Sequence, residues 1–210
     1  MKIPKKSLSQ NFINDKNICK KIIHEIEIKN RDILEIGPGY GFLTDFIIAE
    51  KPKSLLLVEK DNDLYEYLKN KYKKYNNIKI LNNDILKINF KKTKDLNVIS
   101  NLPYNISSKV ILHLLKYSKN IHEMVFMIQK EVALKIDYNE EKLNKYKFFL
   151  KIACKYNRCF NVPRNVFYPK PKVESSVVKL KLIKNNIDWE KANKFSSTIF
   201  KNKRKKISNK

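Results

Sequence analysis

Short, mostly apolar runs recur along the first two thirds of this chain, separated by stretches with helical spacing. Ile33-Leu34-Glu35-Ile36, Leu55-Leu56-Leu57-Val58, Ile78-Lys79-Ile80-Leu81, Asn97-Val98-Ile99-Ser100 and Met124-Val125-Phe126-Met127-Ile128 each predict a strand. Between them the pattern predicts helices over about 42–50, 61–73 and 107–117. Ahead of the first strand, residues 16–28 carry Ile18, Ile22, Ile23 and Ile26 at helical spacing, with Asp15 placed to cap them. Strands without polar alternation, set between helices, predict a parallel sheet covered on both faces. Such a sheet takes ligands at the carboxyl ends of its strands.

After residue 136 the pattern changes. Residues 137–147 are polar and predict a loop. Residues 148–160 and 175–183 read as strands, joined by a connection holding Pro163, Pro169 and Pro171. They predict an antiparallel pair at the sheet edge. From Trp189 the chain reads as helical. Residues 1–15 are basic and polar with one aromatic, Phe12, and read as an arm that packs onto something. The division expected is one domain over 1–185, arm included, with 186–210 the start of a short or truncated basic C-terminal helical region.

Composition narrows the function. The chain has 210 residues and 42% are hydrophobic, enough for a real core. Lys+Arg 45 against Asp+Glu 21 gives +24, which favours a polyanionic partner. Nucleic acid or ribosome is the first reading and an anionic membrane surface the second. A bias toward Lys, Asn and Ile contributes to the same excess. The basic cluster Lys201, Lys203, Arg204, Lys205 and Lys206, which no acid interrupts, reads either as a phosphate contact or as a disordered tail. Three cysteines without a C-x-x-C pair fit a reduced cytosolic compartment. There is no secretory signal pattern and no apolar run near 18 residues, so no membrane span is expected. His24, His113 and His122 are scattered away from any Cys/His/acid cluster, so no metal is expected.

All three glycines of the chain fall in Gly37-Pro38-Gly39-Tyr40-Gly41, where average usage would give about 15 through the chain. The loop follows the first strand and opens a helix. Its third glycine comes one position early for a dinucleotide fingerprint, and it lacks the Gly-Lys-Ser/Thr ending of a P-loop. Glu35 at the loop entrance suits a ligand with a cationic amino-acid end rather than pyrophosphate. The next strand ends at Glu59, placed to accept from ribose hydroxyls. The third leads to Asp84, which could accept from an adenine amino group. Each acid alone reads equally as a solvated loop carboxylate. The ordered set describes a nucleoside site without phosphate, as S-adenosylmethionine requires.

The fourth strand ends in Asn101-Leu102-Pro103-Tyr104. An Asn oxygen and a carbonyl freed by proline can both accept from an exocyclic NH2, and a Tyr can stack on the base. A plain strand-to-helix turn explains the same four residues equally well. Here the sequence resembles the ribosomal RNA adenine N6,N6-dimethyltransferases, which include a small-subunit (KsgA/RsmA) type and a macrolide-resistance (Erm) type. The resemblance runs from about Lys5 to Lys206. It rests on Gln10-Asn11-Phe12-Ile13, Glu35 to Gly41, Val58-Glu59-Lys60-Asp61, Asp84, Asn101 to Ser107, Gln129 to Ala133, and Phe167-Tyr168-Pro169-Lys170-Pro171-Lys172-Val173-Glu174-Ser175.

The resemblance implies a Rossmann-like class I methyltransferase of α/β architecture: a mostly parallel seven-stranded sheet with an antiparallel edge and helices on both faces. It implies cofactor contacts at Asn11, Ile13, Glu35, Gly37, Gly39, Gly41, Glu59, Asp84 and Asn101, with the neighbours Lys60 and Ile85. Asn101, Leu102, Pro103 and Tyr104, with Phe167, would hold and sandwich the target adenine. The substrate implied is two adjacent adenines in a hairpin near the 3′ end of small-subunit rRNA; the partner expected is that rRNA or an immature small ribosomal subunit, and the enzyme is expected to be monomeric and cytoplasmic. Ser9 and Ile13 stand where the family usually has Gly and Leu, and Lys147 where a Tyr-Gly pair is common. Family members usually continue past Lys210 into a small helical domain. The rival functions are large-subunit rRNA methylation and a non-catalytic RNA-binding assembly or transcription factor of the same fold.

Overall fold

In the computed structural model, which describes residues 11–139 and 143–201, the runs read as strands up to residue 129 are strands. In chain order the elements are β1 (Phe12–Ile13), α1 (Lys16–His24), β2 (Asp32–Ile36), α2 (Phe42–Ala49), β3 (Ser54–Glu59), α3 (Asn62–Tyr72), β4 (Ile78–Asn82), β5 (Leu96–Asn101), α4 (Ser107–Leu115), β6 (Ile121–Gln129), α5 (Lys130–Ile136), α6 (Lys145–Ala153), β7 (Cys154–Val162), β8 (Phe167–Tyr168), β9 (Ser175–Leu182) and α7 (Trp189–Lys201). Seven strands form one sheet in the order β4-β3-β2-β5-β6-β9-β7. β2 to β6 run parallel, and β9 lies antiparallel between β6 and β7.

Consecutive residues of a strand face opposite sides, so the core splits in two. Leu34, Val98 and Phe126 join Val110, Leu114 and Phe149 from α4 and α6 on one face. Ile33, Ile99 and Val125 join Ile22, Ile47 and Leu68 from α1, α2 and α3 on the other. Asp15 accepts from the N–H groups of Asn17 (2.8 Å) and Ile18 (3.0 Å), the cap expected of it. Such a cap contributes about 1 kcal/mol.

Three readings need correction. Residues 148–153 are not strand: α6 occupies Lys145–Ala153 and only then does β7 begin. Phe149, Leu150 and Ala153 are buried at helical spacing, and Asn144 Oδ1 caps the helix by accepting from Tyr146 N (2.8 Å) and Lys147 N (3.0 Å). The loop therefore ends before Lys145. The first helix stops at His24, because the Glu25 N–H turns back onto Ile22 and Ile23 carbonyls. The short helix α5 had no counterpart in the pattern.

The sheet's connectivity fixes where a ligand can sit. The chain runs outward from β2 through β3 to β4, then returns to β5 on the other side of β2. The loops after β2 and β5 therefore diverge and leave a cleft between them. Register brings the tips level: Ile36 pairs with Val58, Glu59 with Asn82, and Asn101 with Met127. The arm strand β1 is held over this end by antiparallel pairing with β8, Phe12 against Tyr168 and Ile13 against Phe167.

Candidate functional site

A cavity of about 480 Å³ opens at these strand tips, within the range of small-molecule sites. Its lining includes Asn11, Ile13, Glu35, Gly37, Gly39, Glu59, Lys60, Asp84, Ile85, Asn101, Leu102, Pro103 and Tyr104. These come from the arm and from four strand ends. They are the residues singled out in the sequence, with the exceptions given below.

The glycine loop owes its shape to backbone that other residues rarely adopt. Gly37, Gly39 and Gly41 have φ of 61°, 60° and 76°. A Cβ on Gly39 would come within 2.8 Å of the Phe12 ring, so the arm packs directly on the loop. Gly41 does not line the cavity. Its constraint is packing: a Cβ there would overlap the Tyr72 hydroxyl. α3 clamps the loop from that side. Lys71 Nζ donates to the carbonyls of Tyr40 (3.1 Å) and Gly41 (3.3 Å) and pairs with Asp45 Oδ2 (2.7 Å). The Tyr72 hydroxyl lies 2.9 Å from Gly41 O and 2.7 Å from Asp45 Oδ1, its single proton shared between these two acceptors.

The acids at the tips behave differently. Glu35 is 2% exposed and accepts from Thr44 Oγ1 at 2.6 Å. Burial pushes its carboxyl up to about 8, against the pull of the Thr44 hydrogen bond. Burial thus favours the protonated form and weakens the negative charge expected at the loop entrance. Glu59 is also buried, and burial raises its carboxyl. Its Oε1 accepts from Asp61 N (2.9 Å) and its Oε2 from Gly39 N (3.3 Å), which ties β3 to the glycine loop. Asp84 pairs with Lys60 Nζ at 2.9 Å, and that bond holds its carboxyl below the ordinary range. Its other oxygen accepts from Leu86 N (3.0 Å).

On the opposite wall, Asn101 Nδ2 donates to the Asn11 carbonyl at 2.8 Å. The amide is thereby fixed by its donor end, leaving Oδ1 as an acceptor. The Tyr104 hydroxyl lies 2.7 Å from Ser175 Oγ at the start of β9. Burial raises the Tyr104 phenol, so it stays protonated.

Phe167 is not brought to the cavity. It is 3% exposed and packs in the core cluster of Ile13, Met127 and Val177. In the two-residue strand β8 alternate side chains face opposite ways, so Phe167 points inward and Tyr168, 57% exposed, points out. The sandwich expected from Phe167 is not formed in this arrangement. Lys203, Arg204, Lys205 and Lys206 lie outside the described residues, and Lys201 ends α7.

Sequence reasoning missed the aromatic set at the cavity mouth. Tyr40 meets Phe12 (centroids 5.0 Å apart) and Tyr67 (5.4 Å) edge to face. All three line the cavity, as do Asp45 and Lys71. Phe12, the one aromatic of the arm, and Tyr40, inside the glycine loop, carry a local signal; Tyr67 carries none. Among the described residues no group of three or more His, Cys, Asp or Glu is placed to hold a metal, and no helix is long and apolar enough to cross a membrane.

Known proteins place this geometry in a family. The model of the family described as Ribosomal RNA adenine dimethylase matches residues 1–210. The chain is 41% identical over 212 residues to the Ribosomal RNA small subunit methyltransferase A of Malacoplasma penetrans, covering 97% of this chain and 76% of that one. It is 35% identical to the protein of the same name in Hydrogenobaculum sp., covering 99% and 82%. The dimethyladenosine transferase of Plasmodium falciparum superposes with a TM-score of 0.81 at 30% identity, over 93% of this chain and 73% of that one. The 23S rRNA methyltransferase ErmE superposes with a TM-score of 0.76 at 23% identity, over 89% and 76%. With a seven-stranded class I methyltransferase sheet and a family match over its whole length, the chain belongs to the ribosomal RNA adenine dimethylase family.

Proposed function

We propose that this protein transfers methyl groups from S-adenosylmethionine to N6 of two adjacent adenines in a hairpin near the 3′ end of small-subunit rRNA. The observation that carries this reading is near-full-length identity of 35% and 41% to proteins named for the small subunit. Likeness to the 23S enzyme, at 23% identity, is a likeness of fold. An immature small subunit as the physiological substrate, a monomeric enzyme and a cytoplasmic site of action belong to the same proposal.

The cavity suits the cofactor. Its lining cations, Lys60 and Lys71, are each ion-paired, to Asp84 at 2.9 Å and Asp45 at 2.7 Å, which favours a ligand without phosphates. Glu59 and Asp84 offer the remaining carboxylate lone pairs to hydroxyl and amino groups. When bound, S-adenosylmethionine supplies an electrophilic methyl group on a sulfonium. The protein's work is then positioning and electrostatics. Asn101 Oδ1 and the Leu102 carbonyl accept from the adenine N6–H, which weakens conjugation of N6 into the ring and aims its lone pair at the methyl. Tyr104, steadied by Ser175, stacks on the base. The proton released from N6 passes to water.

The test is mass spectrometry of small-subunit RNA from cells with and without the gene. Loss of N6-dimethylation at the two adjacent hairpin adenines near the 3′ end is the expected result. Unchanged dimethylation would overturn the proposal.

A further inference from the structure

The connection from β8 to β9 is tied to the cavity at both of its ends. At one end Phe167 pairs with Ile13, a cavity-lining residue of the arm. At the other, Ser175 Oγ holds the Tyr104 hydroxyl at 2.7 Å. The segment between, residues 168–174, therefore runs along the rim from the arm to the Asn101–Tyr104 wall.

What that segment presents to solvent is unusual. The Tyr168 ring is 57% exposed and Val173 40% exposed. Lys170 and Lys172 are exposed and form no ion pair among the described residues. The one acid, Glu174, is already paired with Lys130 at 2.8 Å, which holds its carboxyl below the ordinary range. Arg164 adds a third cation and braces the segment, its Nη1 donating to the Lys172 carbonyl at 3.1 Å. An outward aromatic ring beside Lys170 and Lys172, which have no ion-pair partner among the described residues, is the chemistry that takes an unpaired nucleic-acid strand: the ring stacks on a base and the cations meet phosphates.

We propose that the Tyr168–Val173 rim is the contact surface for the RNA strand beside the target adenine, with Tyr168 stacking on a flanking base and Lys170 and Lys172 meeting its phosphates. The inference rests on the reading above that the substrate is RNA. It assigns an RNA-contacting role to residues that lie outside the cavity.

The experiment uses the full chain and a fluorescein-labelled RNA hairpin with two adjacent adenines in its loop. Hairpin affinity is measured by anisotropy from 50 to 200 mM salt, beside calorimetric titration of S-adenosylmethionine. Tyr168→Ala should weaken hairpin binding about 5- to 100-fold, and Tyr168→Phe should restore it. The double variant Lys170→Ala/Lys172→Ala should lower the slope of log K against log salt by about 1.4. Cofactor affinity should stay unchanged in all three. Wild-type affinity and slope in the variants, with a wild type that binds and methylates the hairpin, would overturn this inference alone. A wild type that neither binds nor methylates small-subunit RNA would sink the substrate reading and this inference with it.

Discussion

On the wall built from the glycine loop, β3 and β4, the charged groups are spent on one another and on the backbone. Glu59 accepts from the Asp61 and Gly39 N–H groups, Asp84 pairs with Lys60, and Lys71 binds Asp45 and two loop carbonyls. On the wall built from β5, Asn101 spends only its donor end, on the Asn11 carbonyl. The first wall is thus a preorganised mould, in which carboxylates shape the loop and offer a ligand their remaining lone pairs. The second is a pointed acceptor, aimed by its own anchored half. The difference predicts that the binding surface and the reacting surface proposed for this one cavity fail separately under mutation.

Substitutions can break that separation, and their effects should be graded. Asn101→Ala should have the largest, slowing methyl transfer about 100- to 1,000-fold, as loss of one oriented polar group typically does; single-turnover kinetics would register it. Glu59→Ala should come next. It removes the carboxylate that joins β3 to the loop and should weaken S-adenosylmethionine at least about tenfold in calorimetry, since hydrogen bonds to charged groups contribute about 1.5–3 kcal/mol. Ser175→Ala releases the Tyr104 hydroxyl and should cost about 2- to 12-fold in transfer rate, the worth of one ordinary hydrogen bond, with cofactor affinity unchanged. A fall in cofactor affinity instead would mean that Ser175 supports the mould and not the adenine wall.

A separate effect, on stability rather than on rate or affinity, concerns pH. Burial raises the Glu35 carboxyl to about 8 in the folded protein, while in the unfolded chain it titrates near the ordinary glutamate value of about 4.5. Between those values the native state binds the extra proton, so stability should fall as pH rises, by at most about 1.4 kcal/mol per unit from this one group. Thermal unfolding of Glu35→Gln across pH 5 to 8 should show a flatter dependence than the wild type. Parallel profiles would mean that Glu35 is ionised in the fold.

Legibility in the sequence followed the same physics. Strands β2, β3, β5 and β6 were readable because parallel strands buried on both faces need continuous apolar runs, β4 at the sheet edge showed as Ile78 and Ile80 about an exposed Lys79, and the tips were readable because register sets Ile36, Glu59 and Asn101 at one end. The antiparallel edge was half readable: β9 is the strand expected, but Phe148 to Ile152 suits a helix or a strand by pattern, and the local Asn144 cap that starts the helix is a signal that periodicity does not carry. Phe167 was misplaced because a two-residue strand carries no periodicity, and its inward direction follows from pairing with the distant arm. The Lys71–Tyr72 clamp was invisible for the same reason, since its partners lie about thirty residues away in sequence. Gly41 was legible as special, yet its reason is Tyr72 and not a ligand.

The separation of the two walls is tested most directly by one paired measurement. Asn101→Ala and Glu59→Ala are each titrated with S-adenosylmethionine, then assayed in a single turnover with cofactor and RNA saturating. Asn101→Ala should bind cofactor within a few-fold of wild type and transfer at least about 100-fold more slowly. Glu59→Ala should bind weakly and, once saturated, transfer near the wild-type rate. A saturated Asn101→Ala enzyme that transfers at the wild-type rate would contradict the account.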